Sequence, residues 1–147
     1  MPSAPPTAAW LVRHARAEKD APGGDAARRL TAGGRAEFVQ KARRLGAGLR
    51  PVRILTSPFT RARQTAELLS AACGGVEVEE DPRLAGGASS GAELLALARR
   101  EGRGVALVGH NPELAEAVAL AGEGRDDEVP PGAVAALDGA GRLAWLE

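Results

Sequence analysis

The chain holds two histidines, and each closes a short apolar run: His14 follows Trp10-Leu11-Val12-Arg13, and His110 follows Val105-Ala106-Leu107-Val108-Gly109. Arg13 stands directly before His14. A third block, Ser57-Pro58-Phe59-Thr60-Arg61-Ala62-Arg63-Gln64-Thr65, supplies Arg61 after another apolar run. Guanidiniums bind phosphate oxygens in a fixed, forked geometry, and a neutral imidazole can attack phosphorus. Two guanidiniums and two imidazoles therefore suit a dianion such as phosphate. The chemistry would be attack by His14, giving a phosphohistidine intermediate that water hydrolyses, while Arg13, Arg61 and His110 neutralise the equatorial oxygens. His14 must then present a free ring nitrogen, and nearby arginines favour that neutral form. No lysine-bearing P-loop is present, so a nucleoside-triphosphatase cradle is not expected.

These residues need elements that bring them together. Apolar runs of four to eight residues without helical spacing read as strands buried on both faces. Strands are expected at Ala8–Val12, Val52–Thr56, Val76–Val78 and Val105–Val108, with a closing hairpin of Val134–Leu137 and Leu143–Leu146 around Asp138-Gly139-Ala140-Gly141. Thr31 caps a helix running to about Gly48, marked by Phe38, Ala42, Leu45 and Leu49. Ser57-Pro58 and Asn111-Pro112 read as a cap followed by proline, each opening a helix. The first carries Ala62, Thr65, Leu69 and Ala72 inward and the second Leu114, Val118 and Ala121; a further helix spans Ala92–Glu101. The alternation predicts an α/β fold: a three-layer α/β/α sandwich with a mostly parallel sheet and a C-terminal antiparallel hairpin. Ligands bind such sheets outside the carboxyl ends of the strands, where both histidines and Arg61 fall. Helix N-termini starting at Pro58 and Pro112 would add positive potential there. Arg16–Leu30, centred on Pro22-Gly23-Gly24, is a loop of the length that often serves as a lid or binding loop.

Composition bounds the rest. A chain of 147 residues, 44% hydrophobic and 26% charged, is expected to form one domain over 8–147, after a short disordered lead-in at 1–7. Nineteen basic residues balance nineteen acidic ones, so no global field attracts nucleic acid or an anionic membrane. A single cysteine, Cys73, and no signal-peptide pattern are compatible with a cytoplasmic protein. One Cys and two distant His are too few for a zinc cluster, and neither metal nor cofactor is expected. A monomer or small homo-oligomer is expected.

Together the blocks resemble the histidine phosphatase superfamily, also called phosphoglycerate-mutase-like. Its Arg-His-Gly signature is similar to Arg13-His14-Ala15. Its Ser-Pro-x-x-Arg-Ala-x-Gln-Thr-Ala block matches Ser57 to Ala66, its Gly-His matches Gly109-His110, and its Leu-Thr-x-x-Gly segment matches Leu30-Thr31-Ala32-Gly33-Gly34. The resemblance implies His14 as nucleophile, Arg13 and Arg61 as phosphate ligands, and His110 completing the pocket, with Ala15 and Asn111 also placed against substrate. Two departures stand out. Ala15 replaces glycine, and the acid carboxylate expected shortly after a strand near position 80 is not evident, since Asp81-Pro82-Arg83-Leu84-Ala85-Gly86-Gly87 holds no glutamate. Asp81, Glu18 and Glu93 are possible substitutes. Short length, the missing acid and Pro130-Pro131-Gly132-Ala133 before the hairpin resemble the SixA-type phosphohistidine phosphatases. An imidazole leaving group needs less proton donation than an alkoxide. The substrate is therefore phosphate-bearing, with phosphohistidine on a protein preferred; a small-molecule phosphomonoesterase or a non-catalytic phosphate-recognition module are the alternatives. Plainer roles are expected elsewhere. Arg63 reads as a solvated helix residue, Arg28 and Arg29 as surface charge or as steering an anionic substrate inward, and Gln64 and Thr65 as packing or supporting residues. Asn111 reads equally as a helix cap, Cys73 as inert filler, and Trp10 and Trp145 as core.

Overall fold

The computed structural model describes residues 8–147, so the lead-in expected at 1–7 lies outside the described residues. Strands β1 (Ala9–Arg13), β2 (Arg53–Thr56), β3 (Val78–Glu80), β4 (Val105–Gly109), β5 (Val134–Leu137) and β6 (Leu143–Leu146) form one sheet in the order β3-β2-β4-β1-β5-β6. The first four are mutually parallel; β5 runs antiparallel to β1, and β6 antiparallel to β5. Helices α1 (Ala32–Leu45), α2 (Thr60–Ala72), α3 (Gly91–Glu101) and α4 (Glu113–Ala121) complete the expected α/β/α sandwich.

Because successive strand residues face opposite sides, each central strand feeds two cores. Trp10, Val12, Ile54, Ala106, Val108, Val134 and Ala136 pack with Phe38, Ala42, Ala62, Ala66 and Leu69 of α1 and α2. Leu11, Leu55, Val105, Leu107, Ala135 and Leu137 pack with Leu94, Leu95, Leu114 and Val118 of α3 and α4. Apolar continuity in β1 and β4 thus reflects burial on both faces. Trp10 is core, and its indole nitrogen donates to the Gly48 carbonyl at 2.9 Å.

Local chemistry sets the boundaries. Thr31 Oγ1 accepts from the Gly34 amide at 2.8 Å, starting α1, which ends in a 3-10 turn over Gly46–Gly48. Ser90 and Glu93 form a reciprocal capping box on α3. Asp138 Oδ1 accepts from the Ala140 and Arg142 amides and folds the β5–β6 turn, where Gly141 takes a φ of 75°. Three expectations need correction. The third strand lies at Val78–Glu80, two residues beyond Val76–Val78, because its pairing with β2 (Ile54 opposite Val78, Thr56 opposite Glu80) overrides side-chain polarity on an edge strand. α2 starts at Thr60 and α4 at Glu113, each after a residue that makes no side-chain cap bond. Ser57 and Asn111 spend their side chains elsewhere.

Candidate active site

Strand order creates the site. β2, β4 and β1 are adjacent, so the residues leaving their carboxyl ends (Ser57 and Arg61, His110, Arg13 and His14) converge at one edge. The His14 amide donates to Gly109 O at 3.0 Å and the Ser57 amide to Val108 O at 2.9 Å, locking the three ends in register beyond the strands.

His14 is 7% exposed. Its Nδ1 lies 2.7 Å from the carbonyl of Ala15, which can only accept, so Nδ1 carries the proton and Nε2 bears the lone pair. The second contact agrees: Arg61 Nε donates towards His14 Nε2 at 3.4 Å. Burial pushes the His14 pKa down to about 4, the charges of Arg61, Arg13 and Arg28 add to the effect, and the bond to Ala15 opposes it. The ring is neutral at physiological pH. His110 lies beside it, with ring centroids 5.3 Å apart, and is held lower still, to about 3, by burial first and then by His14 and Arg61. Its Nε2 meets Ser57 Oγ at 2.8 Å; its Nδ1 is buried with no hydrogen-bond partner.

Arg61 is equally buried. While Nε faces His14, its NH1 donates to the Asp25 carbonyl at 2.7 Å and its NH2 to Asp25 Oδ2 at 3.2 Å. Its guanidinium also lies 5.2 Å from the centre of the Phe59 ring, which in turn packs against His110. Arg13 NH1 donates to Val129 O at 2.9 Å, leaving its Nε buried and unpartnered. Burial and the Arg61 charge both work against the Arg13 cation. The pocket thus offers one neutral imidazole lone pair, guanidinium donors, and spare N–H capacity on Arg13. The oxygens of a phosphoryl group would take the N–H donors while its phosphorus faced the lone pair.

The helix after β2 holds the neighbouring backbone. Thr65 Oγ1 accepts from the Ala15 amide at 2.9 Å and donates to Arg61 O at 2.8 Å; Gln64 Oε1 accepts from the Leu30 amide at 2.8 Å. Both residues are supports, as expected. The Ala15 methyl is accommodated in the core beside Phe38 and Leu30. Asn111 is not a cap: its amide donates to Val129 O at 2.9 Å, the same carbonyl that Arg13 holds. Arg28, read as surface charge, instead bonds Asp25 Oδ1 at 3.0 Å and Glu18 O at 2.7 Å, close enough for its charge to act on His14. Arg29 makes no ion pair among the described residues, whereas Arg63 lies 3.8 Å from Glu80. Arg16 pairs with Glu37.

Two of the three candidate substitute acids are otherwise engaged. Asp81 takes Arg83 Nε on one oxygen and NH2 on the other, at 3.0 and 2.6 Å, and these bonds hold its carboxyl below the usual range. Glu93 belongs to its capping box, and its bonds to Ser90 likewise keep it ionised. Glu18 stays exposed in the loop, its amide bonded to Arg29 O. Sequence reading missed Asp25, an exposed loop carboxylate with no distinguishing pattern. It also missed buried Glu113, whose Oε2 accepts from the Gly87 amide at 3.1 Å and pins the wall beside Phe59. Ser57 was visible within its block, but as a cap.

Fold and site together define a hydrolase of phosphorylated substrates. The family model of the histidine phosphatase superfamily (branch 1) matches residues 9–88, and the chain belongs to that superfamily. Among solved structures, a protein assigned as the phosphohistidine phosphatase SixA of Agrobacterium tumefaciens is 31% identical over 97% of both chains, with a TM-score of 0.82. The protein histidine phosphatase SixA complexed with tungstate is 29% identical over 94% of both chains, with a TM-score of 0.77. A mycobacterial glucosyl-3-phosphoglycerate phosphatase, 19% identical over 88% of this chain and 89% of its own, shares the fold with a TM-score of 0.61. No curated protein sequence matches the chain.

Proposed function

We propose that this chain is a metal-independent phosphohistidine phosphatase that acts on a histidine-phosphorylated protein through His14, with 8–147 working as one domain. The observation that carries the mechanism is the His14 tautomer: Nδ1 is tied to Ala15 O, and Nε2 is left free against Arg61 Nε. In the first step the Nε2 lone pair forms an N–P bond while the P–N bond of the substrate breaks. The departing imidazole nitrogen takes its proton from solvent. In the second step water attacks phosphorus, the His14 N–P bond breaks, and inorganic phosphate leaves with His14 neutral again. Arg13 and Arg61 balance the charge on the phosphoryl oxygens, the role a metal ion takes in other phosphatases.

Substrate preference rests on leaving-group chemistry. Asp25 and Asp81 are bonded to arginines and held ionised, so neither is poised to protonate an alkoxide. Phosphohistidine does not require such an acid. Similarity to the SixA structures points the same way.

The test is a comparison of release rates at neutral pH from a phosphorylated histidine phosphotransfer domain and from a panel of phosphomonoesters. Faster release from phosphohistidine is expected; preference for a phosphoester would replace this reading with small-molecule hydrolysis, and binding without release would leave a recognition module. His14→Ala should abolish turnover with the fold retained, and EDTA should leave the rate unchanged. Residual activity in the first case, or loss in the second, would reject the mechanism.

A further inference from the structure

We propose that Ser57 is a positioning residue that holds His110 in one tautomer, so that the ring presents Nδ1–H to the phosphoryl group. The inference rests on the phosphatase reading of the site but concerns a residue that the reaction as written does not use. Ser57 is fully buried at the carboxyl end of β2. Its Oγ accepts from the Phe59 amide at 3.1 Å and lies 2.8 Å from His110 Nε2. A hydroxyl has one proton to give. Among the described residues the only group within bonding distance that could accept the Ser57 hydroxyl proton is His110 Nε2. Were Nε2 protonated instead, the hydroxyl would receive two donors and its own proton would be buried with no acceptor, a costly arrangement. The satisfied arrangement runs Phe59 N–H to Ser57 Oγ, then Ser57 O–H to His110 Nε2.

That choice decides the far side of the ring. With Nε2 accepting, the neutral imidazole must carry its proton on Nδ1, the buried nitrogen that has no partner. The ring is also walled in. Phe59 packs 4.9 Å away, centroid to centroid, and a side chain at Gly86 would come within 3.8 Å of His110 Cδ2. Ser57 therefore turns a ring that could accept or donate into a fixed donor. A lone pair at Nδ1 would repel a phosphoryl oxygen where an N–H attracts it.

Two histidines in the chain make the test direct. Long-range proton–nitrogen NMR of the uniformly 15N-labelled protein reports the tautomer of each ring. The wild type should show His110 with Nδ1 protonated and Nε2 unprotonated. Ser57→Ala should shift His110 towards Nε2–H while the His14 signals stay in place, and should lower kcat by about 10- to 100-fold, the loss usual when a group orienting a reactive histidine is removed. An Nε2–H tautomer in the wild type overturns the proposal without any variant. So does a Ser57→Ala protein whose His110 signals do not move, whatever its activity. Because the spectra need no substrate, they decide this inference even where no turnover of phosphohistidine is found.

Discussion

Arg61 shows how one side chain is divided between two tasks. Its inner nitrogen faces His14, and its outer two are held by Asp25, whose other oxygen holds Arg28. The carboxylate could weaken binding of a dianion by repulsion or strengthen it by aiming the guanidinium. Exposure decides between them: the Asp25 side chain is 62% exposed, so its charge is screened, while the Arg61 side chain is 8% exposed and has no other carboxylate partner among the described residues. Aim wins. Asp25→Ala is expected to lower kcat/KM by about tenfold, the small end of the loss seen for orienting residues, because the Asp25 carbonyl still holds NH1. Asp25→Asn, which keeps an acceptor oxygen, should lose less. Steady-state kinetics on both variants check this; a gain in kcat/KM for Asp25→Ala would mean that repulsion dominates.

Helices meet their neighbours at glycines that have no room for a side chain. A methyl group at Gly34, in the first turn of α1, would lie 2.2 Å from the Arg16 carbonyl; at Gly91, the first residue of α3, it would lie 2.3 Å from Cβ of Glu116 on α4. The two sites predict different phenotypes. Gly91→Ala should separate two helices and cost about 1–3 kcal/mol in urea unfolding, with kcat nearly unchanged. Gly34→Ala pushes instead on backbone two residues from His14, so kcat should fall along with stability. Equal kinetic effects of the two would show that the α1 contact does not reach His14. The Leu-Thr-x-x-Gly pattern was legible, although its reason, a close approach to a loop, needed the fold. Strands β1 and β4 were legible because burial on both faces writes an unbroken apolar run, and β2 from its buried Ile54-Leu55 pair just before the Ser57-Pro58 block. β3 was displaced because an edge strand is placed by its partner's backbone. Ser57-Pro58 and Asn111-Pro112 carried local cap patterns, but a pattern cannot tell that His110 draws off the first side chain and Val129 the second. Arg28 and Asp25 looked like any solvated loop charges.

For the whole molecule, the two histidines link the site to stability. Both bind protons more weakly when folded, at about 4 for His14 and about 3 for His110 against 6.5 for a free ring. The unfolded chain therefore takes up more protons as pH falls below 6.5, and stability must decline from there towards pH 4. By about 1.4 kcal/mol per pH unit, His14 alone removes on the order of 3 kcal/mol by the end of that window. The carboxylates with lowered pKa act further down, from about 4.5 for Glu93 and about 3.8 for Asp25 and Asp81. Urea midpoints measured between pH 7 and 5 should thus fall in the wild type and less steeply in His14→Ala; a flat wild-type profile would show that the rings titrate normally. The segment after His14 has a different significance at this scale. Gln64 holds Leu30 and Thr65 holds Ala15, while Ala17 bridges Leu30 and the Glu18 amide bonds Arg29 O. Both ends of the excursion are thus clamped to one helix, so its span is independent of its contour. Lengthening it at Gly23-Gly24, with Asp25 kept on Arg61, costs closure entropy of about 0.6 kcal/mol for each doubling. The rim of the pocket can accordingly be re-cut for a new phosphorylated substrate while His14 beneath it keeps its address.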